Sequence, residues 1–152
     1  MHCALCAPEL ETPVLRDSRY WRTALNRNQN LLGKTIVVLR RHEEAVAALS
    51  EDEWAELYGE LAWVTERLRL AFAPDHFNYA FLQNEDRHAH LHVIPRYAGA
   101  REIDGFVFED SAYPDHYQPG EERRLEREQL HTIAAALASA EPVVERRAAA
   151  EP

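Results

Sequence analysis

Apolar positions along this chain follow two spacings, and the order in which they appear outlines a fold. Residues 13–16 and 20–25 read as short strands around a turn at Asp17-Ser18. Gly33 precedes a nearly continuous apolar run over residues 34–39, the mark of a central, buried strand. Residues 43–49 suit a short helical turn. Then the spacing changes: Trp54, Leu57, Tyr58, Leu61, Val64 and Leu68 recur at intervals of three or four, which predicts an amphipathic helix to about Phe72 with its aromatic residues in the core. Ser50-Glu51-Asp52-Glu53 reads as its capping box, and an acidic first turn suits the helix dipole. Pro74-Asp75 closes that helix. Residues 76–83 form the next strand, and Asn84-Glu85-Asp86 is a tight turn into a further strand, so the two pair as an antiparallel hairpin. Residues 97–120 are irregular and rich in aromatics, a lid, a partner contact or a cover for the core. Residues 121–140 predict a second helix with Leu125, Leu130, Ile133 and Leu137 as its stripe. Strands, helix, strands, helix without βαβ alternation is an α+β pattern. It fills one domain over 1–140, with an Ala/Glu/Arg-rich tail at 141–152 expected to fray.

Composition narrows the function. The 152 residues are 46% hydrophobic and 28% charged, ordinary for a soluble domain. No apolar run approaches the ~20 residues of a membrane span. The start of the chain lacks the basic and apolar regions of a signal peptide, so a cytoplasmic protein is expected. A net charge of -9 argues against a basic surface for nucleic acid. An anionic substrate would need local cations, for which Lys34, Arg87 and Arg96 are placed. The amide-rich stretch Asn26-Arg27-Asn28-Gln29-Asn30 is either an ordinary turn or a row of donors and acceptors lining a pocket. Cys3 and Cys6 form a Cys-x-x-Cys that can hold half a zinc site if two further ligands arrive from elsewhere.

The strongest chemical signal is Arg87-His88-Ala89-His90-Leu91-His92-Val93-Ile94-Pro95-Arg96. On a strand, His88, His90 and His92 share one face, while Ala89, Leu91 and Val93 face a core; Pro95 is expected to stop the ladder. On a helix the imidazoles would fan across roughly 200° and serve no single site. Three imidazoles on one face need polar partners or a ligand. Two chemistries fit: a metal held by histidines, or an imidazole nucleophile flanked by groups that fix its tautomer and bind charge.

The His-x-His-x-His motif with apolar spacers, followed by Pro95-Arg96-Tyr97, resembles the signature of the histidine triad (HIT) nucleotide hydrolases and transferases. The Cys-x-x-Cys, the stretch from Gly33 to His42 and the long helix occur in the family's order. The resemblance implies an antiparallel sheet of about five strands, one long central helix and a C-terminal helix, and a homodimer. It implies His90 as the nucleophile toward a nucleotide α-phosphorus and His92 as its orienting and phosphate-binding neighbour. Asn84 matches a nucleotide-binding asparagine, and Asn26 falls where many members carry a ribose-binding aspartate. Zinc-bearing bacterial members imply Cys3, Cys6, His42 and His88 as ligands of a structural zinc, with no metal required for the chemical step. One departure stands out: the Gly-Gln-Ser/Thr segment that contacts phosphates in most members is replaced by Glu85-Asp86-Arg87, so Arg87 is the candidate substitute phosphate contact, with Gln83 or a group from the 97–120 segment as the alternatives. The expected activity is hydrolysis or transfer on a dinucleoside polyphosphate (Ap4A-hydrolase-like) or a nucleoside phosphoramidate (phosphoramidase-like). The alternatives are a three-histidine metal-dependent hydrolase and a non-catalytic nucleotide-binding protein.

Overall fold

Strand-forming and helix-forming segments alternate as the pattern predicts in the computed structural model, which describes residues 3–118 and 121–140. The expected frayed tail at 141–152 lies outside the described residues. The strands are β1 (Val14–Asp17), β2 (Trp21–Leu25), β3 (Thr35–Leu39), β4 (His76–Ala80) and β5 (His90–Arg96), in one antiparallel sheet ordered β1-β2-β3-β5-β4. The long helix α1 spans Glu51–Phe72 and the C-terminal helix α2 spans Arg127–Ser139. The α+β fold with five antiparallel strands and two helices is therefore as the sequence predicts.

Register sorts the two faces of the sheet. Thr23 pairs with Val37, and Val37 pairs with Leu91, so these side chains lie in one row on the helix-covered face. Trp21, Leu25, Val37, Leu39, Leu91 and Val93 pack there against Leu57, Val64 and Leu68 of α1 and Ile133 and Leu137 of α2. The opposite face carries a row of Arg22, Val38 and His90 and a second row of Ala24, Ile36 and His92. The long helix thus buries one side of the sheet and leaves the histidine side to form a site.

The start of α1 behaves as its sequence dictates. Ser50 accepts from the Glu53 amide at 3.1 Å, and Glu53 accepts from the Ser50 amide at 2.8 Å. Buried Glu60 on the same helix accepts from Thr23 at 2.7 Å and also from the Ser18 hydroxyl, so its charge does not lie unpartnered in the core.

Several expectations are corrected. Trp54 and Tyr58 are not core residues: they are 42% and 77% exposed, because the buried side of α1 runs through Leu57, Val64, Leu68 and Phe72. The β4–β5 connection is not a tight turn. β4 ends at Ala80, and residues 81–89 leave the sheet to bond the segment after β3: Gln83 Nε2 donates to the Glu44 carbonyl at 2.7 Å and the Ala89 amide to the Glu43 carbonyl at 2.7 Å. Pro95 does not stop the ladder. It pairs with Phe77 beyond the last β3 partner, Val93, where only one neighbouring strand could use an amide. Residues 97–120 are not wholly irregular, since β6 (Arg101–Ile103) and β7 (Phe106–Phe108) form a small ribbon. Helix α2 starts later than residue 121 because the backbone just before it is engaged elsewhere. The Arg123 carbonyl accepts from the Gln29 amide at 2.8 Å, and the Arg123 amide donates to Asn28 Oδ1 at 3.0 Å.

Candidate active site and metal cluster

The three triad histidines do not play equivalent parts, because their ring nitrogens have different partners. His88 precedes β5 and is fully buried. Its Nε2 lies 2.6 Å from the Leu39 carbonyl oxygen. A carbonyl only accepts, so Nε2 carries the hydrogen and Nδ1 holds a lone pair. That lone pair faces Cys3 Sγ and Cys6 Sγ, each at 3.4 Å. Burial, the largest cause, pushes His88 below the ordinary imidazole range, which keeps the lone pair available. His90 Nδ1 lies 2.6 Å from the His88 carbonyl oxygen. By the same logic Nδ1 donates, so Nε2 is the nitrogen that can carry a lone pair. His92 touches His90 at 4.8 Å between ring centroids, and its Nδ1 lies 3.3 Å from Asn26 Nδ2. Burial first, then the neighbouring His90 and Lys34, push His92 down to about 4.

His90 and His92 line a cavity of about 320 Å³ on the open face of the sheet. Asn26 and Asn84 line it as well, so the structure brings four of the sequence-predicted site residues together. Ile36, Ile94, Leu10 and Leu82 give it apolar walls. Lys34 also lines it; it is only 4% exposed, and its Nζ donates to Asn30 Oδ1 at 2.9 Å and to the Tyr117 hydroxyl at 2.7 Å. Arg27 reaches three rim carboxylates, Glu85 at 2.9 Å, Glu122 at 3.7 Å and Glu11 at 3.9 Å. Arg87 is exposed and is not among the residues that line this cavity. Arg96 is spent elsewhere, in a buried pair with Asp110 at 2.6 Å and a hydrogen bond to Asn78 at 2.8 Å.

The second cluster lies beside the first. Cys3, Cys6, His42 and His88 place their ligand atoms within 4.8 Å of one another, a group that could hold a metal ion. His42 Nδ1 is 3.3 Å from Cys6 Sγ. The S···N edge of a tetrahedral zinc site is roughly 3.5 Å, from Zn–S and Zn–N bonds of about 2.3 and 2.0–2.1 Å. The donor set and these separations therefore fit zinc, and the His88 lone pair faces the two cysteine sulfurs that would share it. Among the described residues this cluster includes His88 but neither His90 nor His92.

Sequence reasoning missed two of the residues that build these sites. Arg22 is buried, and its guanidinium donates to the carbonyls of Leu5 at 2.8 Å, Ala7 at 3.0 Å and Pro8 at 3.2 Å, which fixes the cysteine loop. The available signal was a charge in the middle of the apolar run Trp21–Leu25. Tyr117 reaches Lys34 from the 97–120 segment, where no motif marks it.

Comparison with solved structures places this architecture. No family model and no curated protein sequence matches the chain. A hypothetical histidine triad nucleotide-binding protein from Sulfolobus tokodaii superposes with a TM-score of 0.69 at 21% identity, over 91% of each chain. A histidine triad protein from Marinobacter aquaeolei gives 0.67 at 25% identity, covering 84% of this chain and 86% of its own. A zinc-bound histidine triad family protein from Mycobacterium smegmatis gives 0.58 at 19% identity, with the same coverage. This is the histidine triad fold, as found in bacterial and archaeal proteins. Within the described residues no helix is long and apolar enough to cross a membrane.

Proposed function

We propose that the chain is a HIT-type nucleotide hydrolase or nucleotidyl transferase that works through a covalent nucleotidyl-histidine at His90. The observation that carries this reading is the bond from His90 Nδ1 to the His88 carbonyl, because it leaves Nε2 as the one nucleophilic nitrogen of a ring that lines the cavity. His90 Nε2 attacks the α-phosphorus. A P–N bond forms, the bond to the leaving group breaks, and its electron pair departs with that group. Water then attacks the same phosphorus, the P–N bond breaks, and a nucleoside monophosphate leaves while the proton lost by water returns to the medium. His92 and Lys34 stabilise the phosphoryl oxygens as their charge grows. Asn26 binds the ribose hydroxyls and Asn84 the sugar-phosphate. Arg87, exposed outside the cavity, contacts distal phosphates that only a long substrate would reach. Substrates are dinucleoside polyphosphates or nucleoside phosphoramidates.

Zinc is the metal proposed for Cys3, Cys6, His42 and His88, where it would tie the cysteine loop to the end of β3 and the entry of β5. A three-histidine catalytic metal is less well supported, since His88 aims its lone pair at the cysteines and His90 spends Nδ1 on a carbonyl. The assembly proposed is a homodimer through β4, an edge strand whose outer backbone groups lack a neighbouring strand among the described residues. Exposed Tyr79 on β4 and the Trp54–Phe81 ring pair beside it support that face.

Intact-protein mass spectrometry during turnover of an adenylated substrate tests the reaction. Wild type is expected to gain the mass of one nucleoside monophosphate in an acid-labile bond, and His90→Ala and His90→Gly are expected to gain none. Native spectra of the same samples are expected to show one zinc per chain. Hydrolysis that tracks metal content without any adduct would replace this reading with the metal-dependent one. Nucleotide binding with neither adduct nor turnover would leave a binding protein.

A further inference from the structure

His92 has one ring nitrogen engaged within the chain and one directed to the cavity's chemistry, and which of them carries the hydrogen decides what it can do there. Its Nδ1 faces Asn26 Nδ2 at 3.3 Å. The orientation of the Asn26 amide is set from the other side: Asn26 Oδ1 accepts from the Asn28 backbone amide at 2.9 Å. The nitrogen of a carboxamide is a donor only. Nδ1 of His92 must therefore offer a lone pair, and the hydrogen of a neutral ring must sit on Nε2, which has no hydrogen-bond partner among the described residues.

We infer that Asn26 is the positioning residue that locks His92 as the Nε2–H tautomer, making it a neutral hydrogen-bond donor to the nucleotide phosphate. The phosphate role rests on the reaction proposed above, whereas the tautomer rests on the free protein's geometry alone. The three histidines then alternate: His88 carries its hydrogen on Nε2, His90 on Nδ1 and His92 on Nε2. One ring presents a lone pair to the cysteines, the next presents a lone pair to phosphorus, and the last presents a hydrogen to the oxygens of that phosphorus. No proton leaves His92 in either chemical step.

A carboxylate at position 26 would reverse this. It accepts only, so it would require a hydrogen on His92 Nδ1 and would favour the doubly protonated cation. Asparagine leaves the cation to Lys34, which immediately precedes β3 and whose Nζ is held by Asn30 and Tyr117. The other groups around the ring are His90 on β5 and, at the rim, Arg27 with Glu11, Glu85 and Glu122, plus Asp86 in the cavity wall.

Long-range 1H–15N correlation spectra of the full-length protein at neutral pH, with His92 assigned by loss of its signals in His92→Gln, test the inference. Wild-type His92 is expected to show Nδ1 at the shift of an unprotonated imidazole nitrogen and Nε2 at that of a protonated one. In Asn26→Asp the hydrogen is expected to appear on Nδ1, alone or on both nitrogens, while the His88 and His90 patterns stay as in wild type. A wild-type His92 protonated at Nδ1, or averaged between the two tautomers, overturns the inference even if Asn26→Asp fails to fold. Averaged tautomers in a protein that still forms the His90 adduct remove this inference and leave the reaction standing. A clean Nε2–H ring in a protein that forms no adduct supports the tautomer and removes the reaction alone.

Discussion

Burying His92 has a stability consequence with a definite sign. The folded ring takes up a proton only near pH 4, whereas in the unfolded chain it does so near 6.5. Between those values the unfolded state binds more protons, so acidification favours unfolding. The contribution is fully present above about pH 6.5, falls as pH drops toward 4, and is on the order of 3 kcal/mol across the whole window. Urea midpoints measured from pH 7 to pH 4.5 are expected to fall more steeply for wild type than for His92→Gln. Parallel lines would show that His92 is not the source. Glu53, held below the usual carboxylate range chiefly by its hydrogen bond from Arg41, is common to both proteins and cancels in the comparison. At this scale the sequence put His90 and His92 on one face of a strand, because strand periodicity is local. It did not show which nitrogen of each ring is free. That depends on the Leu39 and His88 carbonyls and on the Asn26 amide, which only the folded chain brings into place.

Among the elements, the loop between β2 and β3 is the most exacting. It turns into β3 at Gly33, whose φ of 83° disfavours any side chain. A Cβ there would also meet Leu68 Cδ2 at 2.6 Å and Phe72 Cδ2 at 3.2 Å, so α1 packs directly on the glycine. Gly33→Ala is expected to cost roughly 1–3 kcal/mol, read as a lower thermal midpoint, since it combines backbone strain with a steric clash. An unchanged midpoint would show that α1 yields at this point. Signals contained within one element were legible: the capping box fixed the start of α1, and the apolar run gave β3. Boundaries set by distant partners were not. β4 is shorter than its apolar pattern because residues 81–89 bond to Glu43 and Glu44, and α2 starts late because Arg123 bonds to Asn28 and Gln29.

For the whole molecule, the open question is what covers the β4 edge. Trp54 and Tyr58 lie one turn apart on the solvent side of α1, and Tyr79 is 52% exposed on β4. Helical periodicity cannot separate a residue that faces its own core from one that faces a partner, which is why both aromatics read as core. Light scattering at micromolar concentration is expected to give the mass of a dimer for wild type and of a monomer for Trp54→Glu combined with Tyr58→Glu, with circular dichroism unchanged. A wild-type monomer would end the proposal of assembly through this face.

The Arg22 guanidinium gives the cysteine loop a property of its own. Three carbonyls of that loop are already gathered by one buried side chain rooted in β2. The entropy of ordering the loop is thus spent when the chain folds, and an arriving ion has little left to organise. A metal ion at the site proposed for Cys3, Cys6, His42 and His88 would then exchange without a change in the shape of this loop. His88 is tied to the sheet separately, through Nε2 on the Leu39 carbonyl at the end of β3, so the aim of His90 at the His88 carbonyl rests on a contact that the ion does not supply.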